Sequence, residues 1–128
     1  MGMYTEFHFN AELKKDTPME VINDIHAAMD CAERDWRASD CPLSNEDLSY
    51  LFLSDSFYFP SKTISSLRWC EISGRYFINI RSNLKNYNNE IERFLGWILP
   101  YVDASEECLG YYRYESYDDP TLIYKNSK

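Results

Sequence analysis

The feature that most constrains the fold of this chain is a β-hairpin pattern centred on Ser73-Gly74. Two runs of strand-forming residues, Leu67–Ile72 and Arg75–Ser82, flank this dipeptide, and its glycine supplies the positive φ that a two-residue hairpin turn requires. Side chains alternate along the second run: one face carries Tyr76, Ile78 and Ile80, and the other carries Phe77, Asn79 and Arg81. This alternation predicts an antiparallel pair of strands with one buried face.

Further strand patterns lie on both sides of the hairpin. An alternating segment, residues 4–11, opens the chain, and Tyr50–Leu53 and Phe57–Phe59 are two short runs of β-type residues. Near the end, Leu109–Glu115 and Thr121–Lys125 predict two more strands, joined by turn-forming residues that include Asp118-Asp119-Pro120. We therefore expect five to six strands.

Two helices are predicted between these strands. Thr17, Pro18 and Glu20 match a capping box, with proline at the first helical position, and predict a helix that runs to about Glu33. Its apolar stripe consists of Val21, Ile22, Ile25, Ala28 and Met29. A second helix is predicted to follow Asn89 as its N-cap, and its stripe consists of Ile91, Phe94, Leu95, Ile98 and Val102. Residues 34–47 are polar and are expected to form a long loop or a short extra turn.

This order of elements predicts a single α+β domain over residues 1–128. We expect a mostly antiparallel sheet of five to six strands with both helices packed on one face, because tight turns rather than helices join the central strands. With 128 residues, 45% of them hydrophobic and 16% aromatic, the chain can bury one core. No apolar run reaches the roughly 18–20 residues that span a bilayer.

Charge is unevenly distributed along the chain. The whole sequence has 13 basic and 21 acidic residues, a net charge of −8, yet residues 60–85 contain five basic residues and one acidic residue. The overall negative charge argues against a membrane surface or duplex DNA as the partner. The local basic segment permits an anionic ligand, or self-association of two copies through opposite faces.

Cysteine and glycine spacing excludes several kinds of site. The four cysteines have long, irregular gaps and no CxxC pair, so a zinc site is not expected. The four glycines do not cluster, which excludes a phosphate-binding loop. With no secretory signal at the N-terminus, we expect a cytoplasmic protein with reduced thiols and no cofactor or metal.

No catalytic constellation stands out. Only two histidines are present: His8 is on the polar face of the first predicted strand beside Glu6, and His26 is at the edge of the first helical stripe. Nothing in the sequence pairs either one with a nucleophile. A small hydrolase is the least favoured function, and it requires His8 or His26 within hydrogen-bond distance of a cysteine or a carboxylate.

The segment after residue 105 combines tyrosines with acidic residues. Tyrosine is favoured at protein interfaces because it provides a large contact area at a small entropic cost. We therefore predict that this segment contacts a protein partner with a basic surface, through Tyr112, Tyr114, Glu115 and Asp118. The alternative is that these tyrosines simply pack in the sheet with their hydroxyls at its rim.

The basic hairpin supports a second function. Its arginines alternate with aromatic residues, a mixture that can pair with phosphates and stack on bases. The hairpin therefore predicts a site for a small anionic ligand or single-stranded RNA at Arg68, Arg75 and Arg81. The alternative is that its aromatic side chains face the core and the arginines are solvated charges at a sheet edge.

Three segments of the chain resemble those of small uncharacterised proteins from bacteria and their phages. They are Tyr4-Thr5-Glu6-Phe7, the segment from Arg81 to Tyr87, and Asp119-Pro120-Thr121-Leu122-Ile123-Tyr124. The resemblance implies an accessory protein of a mobile element, and it assigns no catalytic residue. Small acidic proteins of this kind often inhibit host proteins by binding them, so the expected function is that of a non-enzymatic inhibitor or adaptor.

Overall fold

The computed structural model describes residues 4–30, 38–54, 65–104, 107–117 and 119–125. Five strands and three α-helices lie within these ranges, and a 3₁₀ turn over Leu99–Tyr101 follows the third helix. The elements in chain order are β1 (Thr5–Glu12), α1 (Met19–Met29), α2 (Asn45–Leu53), β2 (Ser66–Cys70), β3 (Arg75–Leu84), α3 (Glu90–Ile98), β4 (Gly110–Tyr114) and β5 (Thr121–Ile123).

All five strands form one antiparallel sheet in the order β2-β3-β1-β4-β5. The first four strands and the intervening helices follow the split βαβ arrangement, and β5 is added at the edge next to β4. No helix in the described residues is long and apolar enough to span a membrane. The predicted α+β class is confirmed.

The three helices pack on the same face of the sheet. In α3, the Phe94 ring lies 6.3 Å from that of Phe7 and 5.5 Å from that of Phe52 in α2. Ser82, which is paired with Phe7 across the sheet, donates a hydrogen bond to the Leu51 carbonyl of α2. In α1, the His26 ring lies 6.1 Å from that of Tyr76. We call this face of the sheet the helix side and the opposite one the far side.

The prediction of a strand at Tyr50–Leu53 is wrong, because these residues end α2. Ser44 caps this helix by accepting a hydrogen bond from the Asp47 backbone N–H. Leu48, Leu51 and Phe52 follow at helical spacing and are fully buried. A short apolar run is compatible with the periodicity of a strand and with that of a helix, and here the helix is the element that buries these residues. The strand predicted at residues 57–59 lies outside the described residues.

The helix starts were predicted at the right places with the wrong capping groups. Pro18, in extended conformation, occupies the N-cap position of α1, while the Thr17 hydroxyl donates to the Lys14 carbonyl. The helix ends at Met29 rather than near Glu33. Asn89 occupies the N-cap position of α3 with a left-handed φ of 57° and makes no side-chain cap.

The hairpin turn is longer than predicted. Cys70 pairs with Arg75, so four residues rather than two connect β2 and β3. Gly74 has a φ of +69°, as its place in the pattern required, and its N–H donates to the Cys70 carbonyl. The predicted alternation in β3 is confirmed, since Ile78 and Ile80 are buried and Phe77 is exposed.

Candidate functional site

A cavity of about 230 Å³ lies at one end of the helix side, between β4, the segment after β3 and the first turn of α3. Tyr112 and Tyr114 of β4 line it together with Tyr117 of the following turn and Tyr87. The charged residues that line it are Lys85 and Glu92. We call this cavity the tyrosine cleft.

The alternation of β4 directs two of these tyrosines to the helix side. Tyr112 is paired with the buried Phe7, and Tyr114 is paired with Thr5. The chain then turns sharply, with a hydrogen bond from the Tyr117 N–H to the Tyr114 carbonyl. This turn brings the centres of the Tyr114 and Tyr117 rings to 5.5 Å from each other, with an angle of 70° between the ring planes. The two rings line adjacent sides of the cleft.

The polar side of the cleft is built on the start of α3. Asn86 accepts a hydrogen bond from the Ile91 N–H and donates one of 2.8 Å to Glu92 Oε1. Asn86 thus performs the capping role that the sequence had predicted for Asn89. Burial raises the pKa of Tyr112, and the nearby negative charge of Glu92 raises it further, although a hydrogen bond with Thr121 acts in the opposite direction. The negative charge of Glu92 is therefore near enough to Tyr112 to disfavour the ionised phenolate.

A second feature at the rim is the placement of Lys85. Its backbone N–H donates to the Tyr50 hydroxyl, and its Nζ lies 5.6 Å from the centre of the Tyr4 ring. This distance is within the range of a cation–π contact. The cleft's own cation is thus already associated with a tyrosine ring that does not line the cleft.

The four residues predicted to bind a partner have different positions. Tyr112 and Tyr114 lie together in the cleft. Glu115 is exposed, and its carboxylate accepts a hydrogen bond from the Tyr4 N–H, so it is anchored beside the start of β1. Asp118 lies outside the described residues. Sequence reasoning missed Tyr87, Lys85 and Glu92, which come from a different part of the chain.

The three arginines predicted to bind an anion share the far side of the sheet and are spread along it. Arg75 is held by two carboxylates, 2.7 Å from Glu12 Oε1 and 2.8 Å from Asp103 Oδ2. Arg81 is six residues further along the same strand, a distance of roughly 20 Å. Arg68 is exposed on the edge strand opposite Phe77. The fold therefore does not bring the three side chains together around one small ligand.

Exposed aromatic and apolar side chains lie near Arg68 at the edge of the sheet. Trp69 is 54% exposed and Phe77 40% exposed, and Ile72 in the turn is almost fully exposed. They line a groove of about 500 Å³. We call this groove the hairpin groove. Trp69 is paired with Tyr76 and lies on the helix side, as the alternative prediction had it, with its ring 5.0 Å from that of Tyr76, but it is at the sheet edge and stays 54% exposed.

Neither histidine lines the tyrosine cleft or the hairpin groove. His8 stacks on Tyr111 with ring centres 4.7 Å apart, and its Nε2 lies 3.9 Å from Glu6 Oε2, beyond hydrogen-bond distance. Burial lowers the pKa of His8, Arg81 lowers it further, and Glu6 partly opposes the shift. In the described residues, no group of three or more histidine, cysteine or acidic side chains is placed to hold a metal ion.

Comparison with protein-family profiles, with curated proteins and with solved structures finds no match to this chain. The tyrosine cleft is therefore interpreted from its own geometry and chemistry.

Proposed function

We propose that this chain is a cytoplasmic, non-enzymatic protein-binding module, an inhibitor or adaptor of the kind that phages and prophages encode. It acts by occlusion, by docking on a basic surface of its partner. The docking surface is the tyrosine cleft together with the acidic residues of the adjacent turn, including Glu115.

The observation that carries this proposal is the convergence of four tyrosines on one small cavity. Tyr112 and Tyr114 are half-buried, so their rings are pre-ordered and lose little entropy on contact with a partner, while Tyr87 and Tyr117 are exposed and accessible to it. A volume of about 230 Å³ is below the roughly 300–1,000 Å³ of most small-molecule sites. The cleft thus suits a single side chain that anchors a larger protein contact.

Charge supports a basic partner. The chain has a net charge of −8, and Glu115 lies beside the cleft; Glu92 lines it together with Lys85, whose Nζ lies over the Tyr4 ring. A negative surface of this kind accelerates association with a positive one and makes the association sensitive to salt.

Affinity capture from a bacterial lysate tests this function. The immobilised full chain is washed at low and then at high salt, in parallel with Tyr114→Ala and with the hairpin control Trp69→Ala, after both variants are shown to melt cooperatively. We expect one stoichiometric protein, released by salt, that the wild type and the Trp69 variant retain and the Tyr114 variant loses. Equal capture by all three proteins, or recovery of nucleic acid alone, would contradict the proposal.

The hairpin groove supports a second candidate, the binding of a small anionic ligand or single-stranded RNA. The favourable observation is that Arg68 is exposed directly opposite Phe77, whose 40% exposed ring offers a stacking surface in the groove. A rise in melting temperature with nucleotides or short oligonucleotides, abolished in Arg68→Ala, is the expected result. No shift at millimolar nucleotide would exclude the small-molecule form.

A further inference from the structure

Building on the proposed function, we infer that the tyrosine cleft is a pocket for an arginine side chain of the partner. The guanidinium group stacks on a tyrosine ring and pairs with the carboxylate of Glu92. This inference names the chemical group that the docking surface recognises, and it depends on the cleft being that surface.

The shape of the cleft fits a flat cation at the end of an extended side chain. Tyr114 and Tyr117 meet at 70° with ring centres 5.5 Å apart, so a planar group that lies on one ring presents its edge to the other. A guanidinium is planar and weakly hydrated, and it stacks on aromatic faces more readily than an ammonium does. The methylene groups of the same side chain would cover the apolar part of the cleft.

Glu92 provides the charge that an arginine requires. Its Oε1 accepts a hydrogen bond from Asn86, which fixes the carboxylate at the cleft. In the part of the chain that the structure describes, no group donates to Oε2 of Glu92. An arginine fork can donate to that oxygen while it keeps its contact with a tyrosine ring.

Other occupants match the cleft less well. A carboxylate would be repelled by Glu92 and could pair only with Lys85, which would have to leave the Tyr4 ring. A purely apolar side chain would cover a charged carboxylate without pairing with it. A lysine would supply the charge as a strongly hydrated ammonium that does not present a flat face to the rings. Lys85 does not fill the position, because its Nζ lies over the Tyr4 ring.

Fluorine NMR of the full chain labelled with 3-fluorotyrosine tests this inference. The probes are three blocked pentapeptides, Gly-Gly-X-Gly-Gly, in which X is arginine, lysine or glutamate, each added up to about 10 mM to detect millimolar binding. Signals are assigned with single Tyr→Phe variants. We expect the arginine peptide to shift the signals of Tyr112, Tyr114 and Tyr117, the lysine peptide to bind several-fold more weakly, and the glutamate peptide to have no effect.

Variants at acidic positions isolate the role of the carboxylate. Glu92→Gln is expected to weaken binding of the arginine peptide about fivefold, as befits an exposed ion pair, and to reduce the preference for arginine over lysine. Glu46→Gln, an exposed acid at the start of α2, serves as the matched control and leaves binding unchanged. Undiminished binding to the Glu92 variant would overturn the inference.

The outcomes separate this inference from the proposed function. Equal shifts with arginine and lysine would overturn the arginine pocket and leave a basic partner in place. The absence of any shift at the cleft tyrosines overturns the arginine pocket, while salt-sensitive capture that depends on Tyr114 would still support docking at the cleft. If neither the peptide-induced shifts nor the Tyr114-dependent capture is observed, both the arginine pocket and docking at the cleft are contradicted.

Discussion

At the scale of single residues, two glycine positions differ in whether the structure has room for a side chain. Gly110 starts β4 with a φ of +152°, and a Cβ at this position would lie 2.0 Å from the His8 carbonyl oxygen. Gly96 lies on the exposed side of α3, and a Cβ there would have no atom within 4 Å apart from its chain neighbours and the backbone of its own helix. One position thus requires glycine, and the other merely tolerates it.

We expect Gly110→Ala to lower the free energy of unfolding by about 3 kcal/mol, because both the backbone conformation and the close contact with β1 are lost. Gly96→Ala should raise it by about 1 kcal/mol, the difference in helix propensity between the two residues. Urea denaturation of both variants checks the pair. A tolerated alanine at position 110 would show that β4 does not approach β1 as described.

Asp24 is a fully buried carboxylate on α1 that the sequence analysis did not single out. It accepts hydrogen bonds from the Ala38 and Ser39 backbone N–H groups and from the Ser39 hydroxyl. Asp24→Ala leaves these donors without an acceptor and should lower the free energy of unfolding by about 3 kcal/mol. The exposed neighbour Asn23 is the control. Asn23→Ala should change the free energy of unfolding by less than about 0.5 kcal/mol in the same urea titration. Equal effects of the two substitutions would contradict this role of Asp24.

His8 makes stability depend on pH. Its pKa lies below the ordinary 6.5, because burial and Arg81 disfavour the imidazolium, although Glu6 acts in the opposite direction. A lowered pKa means that the unfolded chain binds the proton more tightly, so this contribution to stability is complete above pH 6.5 and is lost as the pH falls below it. We expect His8→Gln to lose less stability than the wild type between pH 7.5 and 5.5, as measured by urea denaturation at a series of pH values. Parallel pH profiles of the two proteins would contradict the shift.

At the scale of elements, the spacing of apolar residues predicted the helices and strands that depend on local sequence alone. The alternation in β3 and the stripe of α1 were recognised because each buries one face along its own length, and the two final strands because turn-forming residues separate them. α2 was missed because Tyr50–Leu53 is a continuous apolar run, for which strand and helix patterns coincide. Its signals were Ser44 three residues before Asp47 and the spacing of the leucines that follow.

The candidate site could be predicted only in part. Tyr112 and Tyr114 were singled out because tyrosines cluster in that segment, whereas Tyr87 and Glu92 reach the same cavity through the pairing of β4 with β1 and the packing of α3. The pairing of Arg75 with Glu12 and Asp103 likewise joins three distant parts of the chain. Sequence patterns do not specify such contacts, because they depend on strand order and register.

At the scale of the whole molecule, the tyrosine cleft and the hairpin groove differ in chemistry. The tyrosine cleft lies on the helix side between β4 and α3, while the hairpin groove lies at the edge strand β2, three positions away in the sheet order. One offers two half-buried and two exposed tyrosines beside a carboxylate, and the other offers an exposed tryptophan, isoleucine and phenylalanine beside an arginine. The central claim is that the partner docks on the cleft.

Site-specific photocrosslinking compares these two surfaces directly. Tyr117, 63% exposed at the cleft, and Trp69, 54% exposed at the hairpin groove, are replaced one at a time by p-benzoylphenylalanine. Each protein is irradiated in bacterial cells that produce the partner identified by affinity capture. We predict a single crosslinked product from position 117, which diminishes when Glu92 is replaced by glutamine, and none from position 69. A product from position 69 alone would contradict the account.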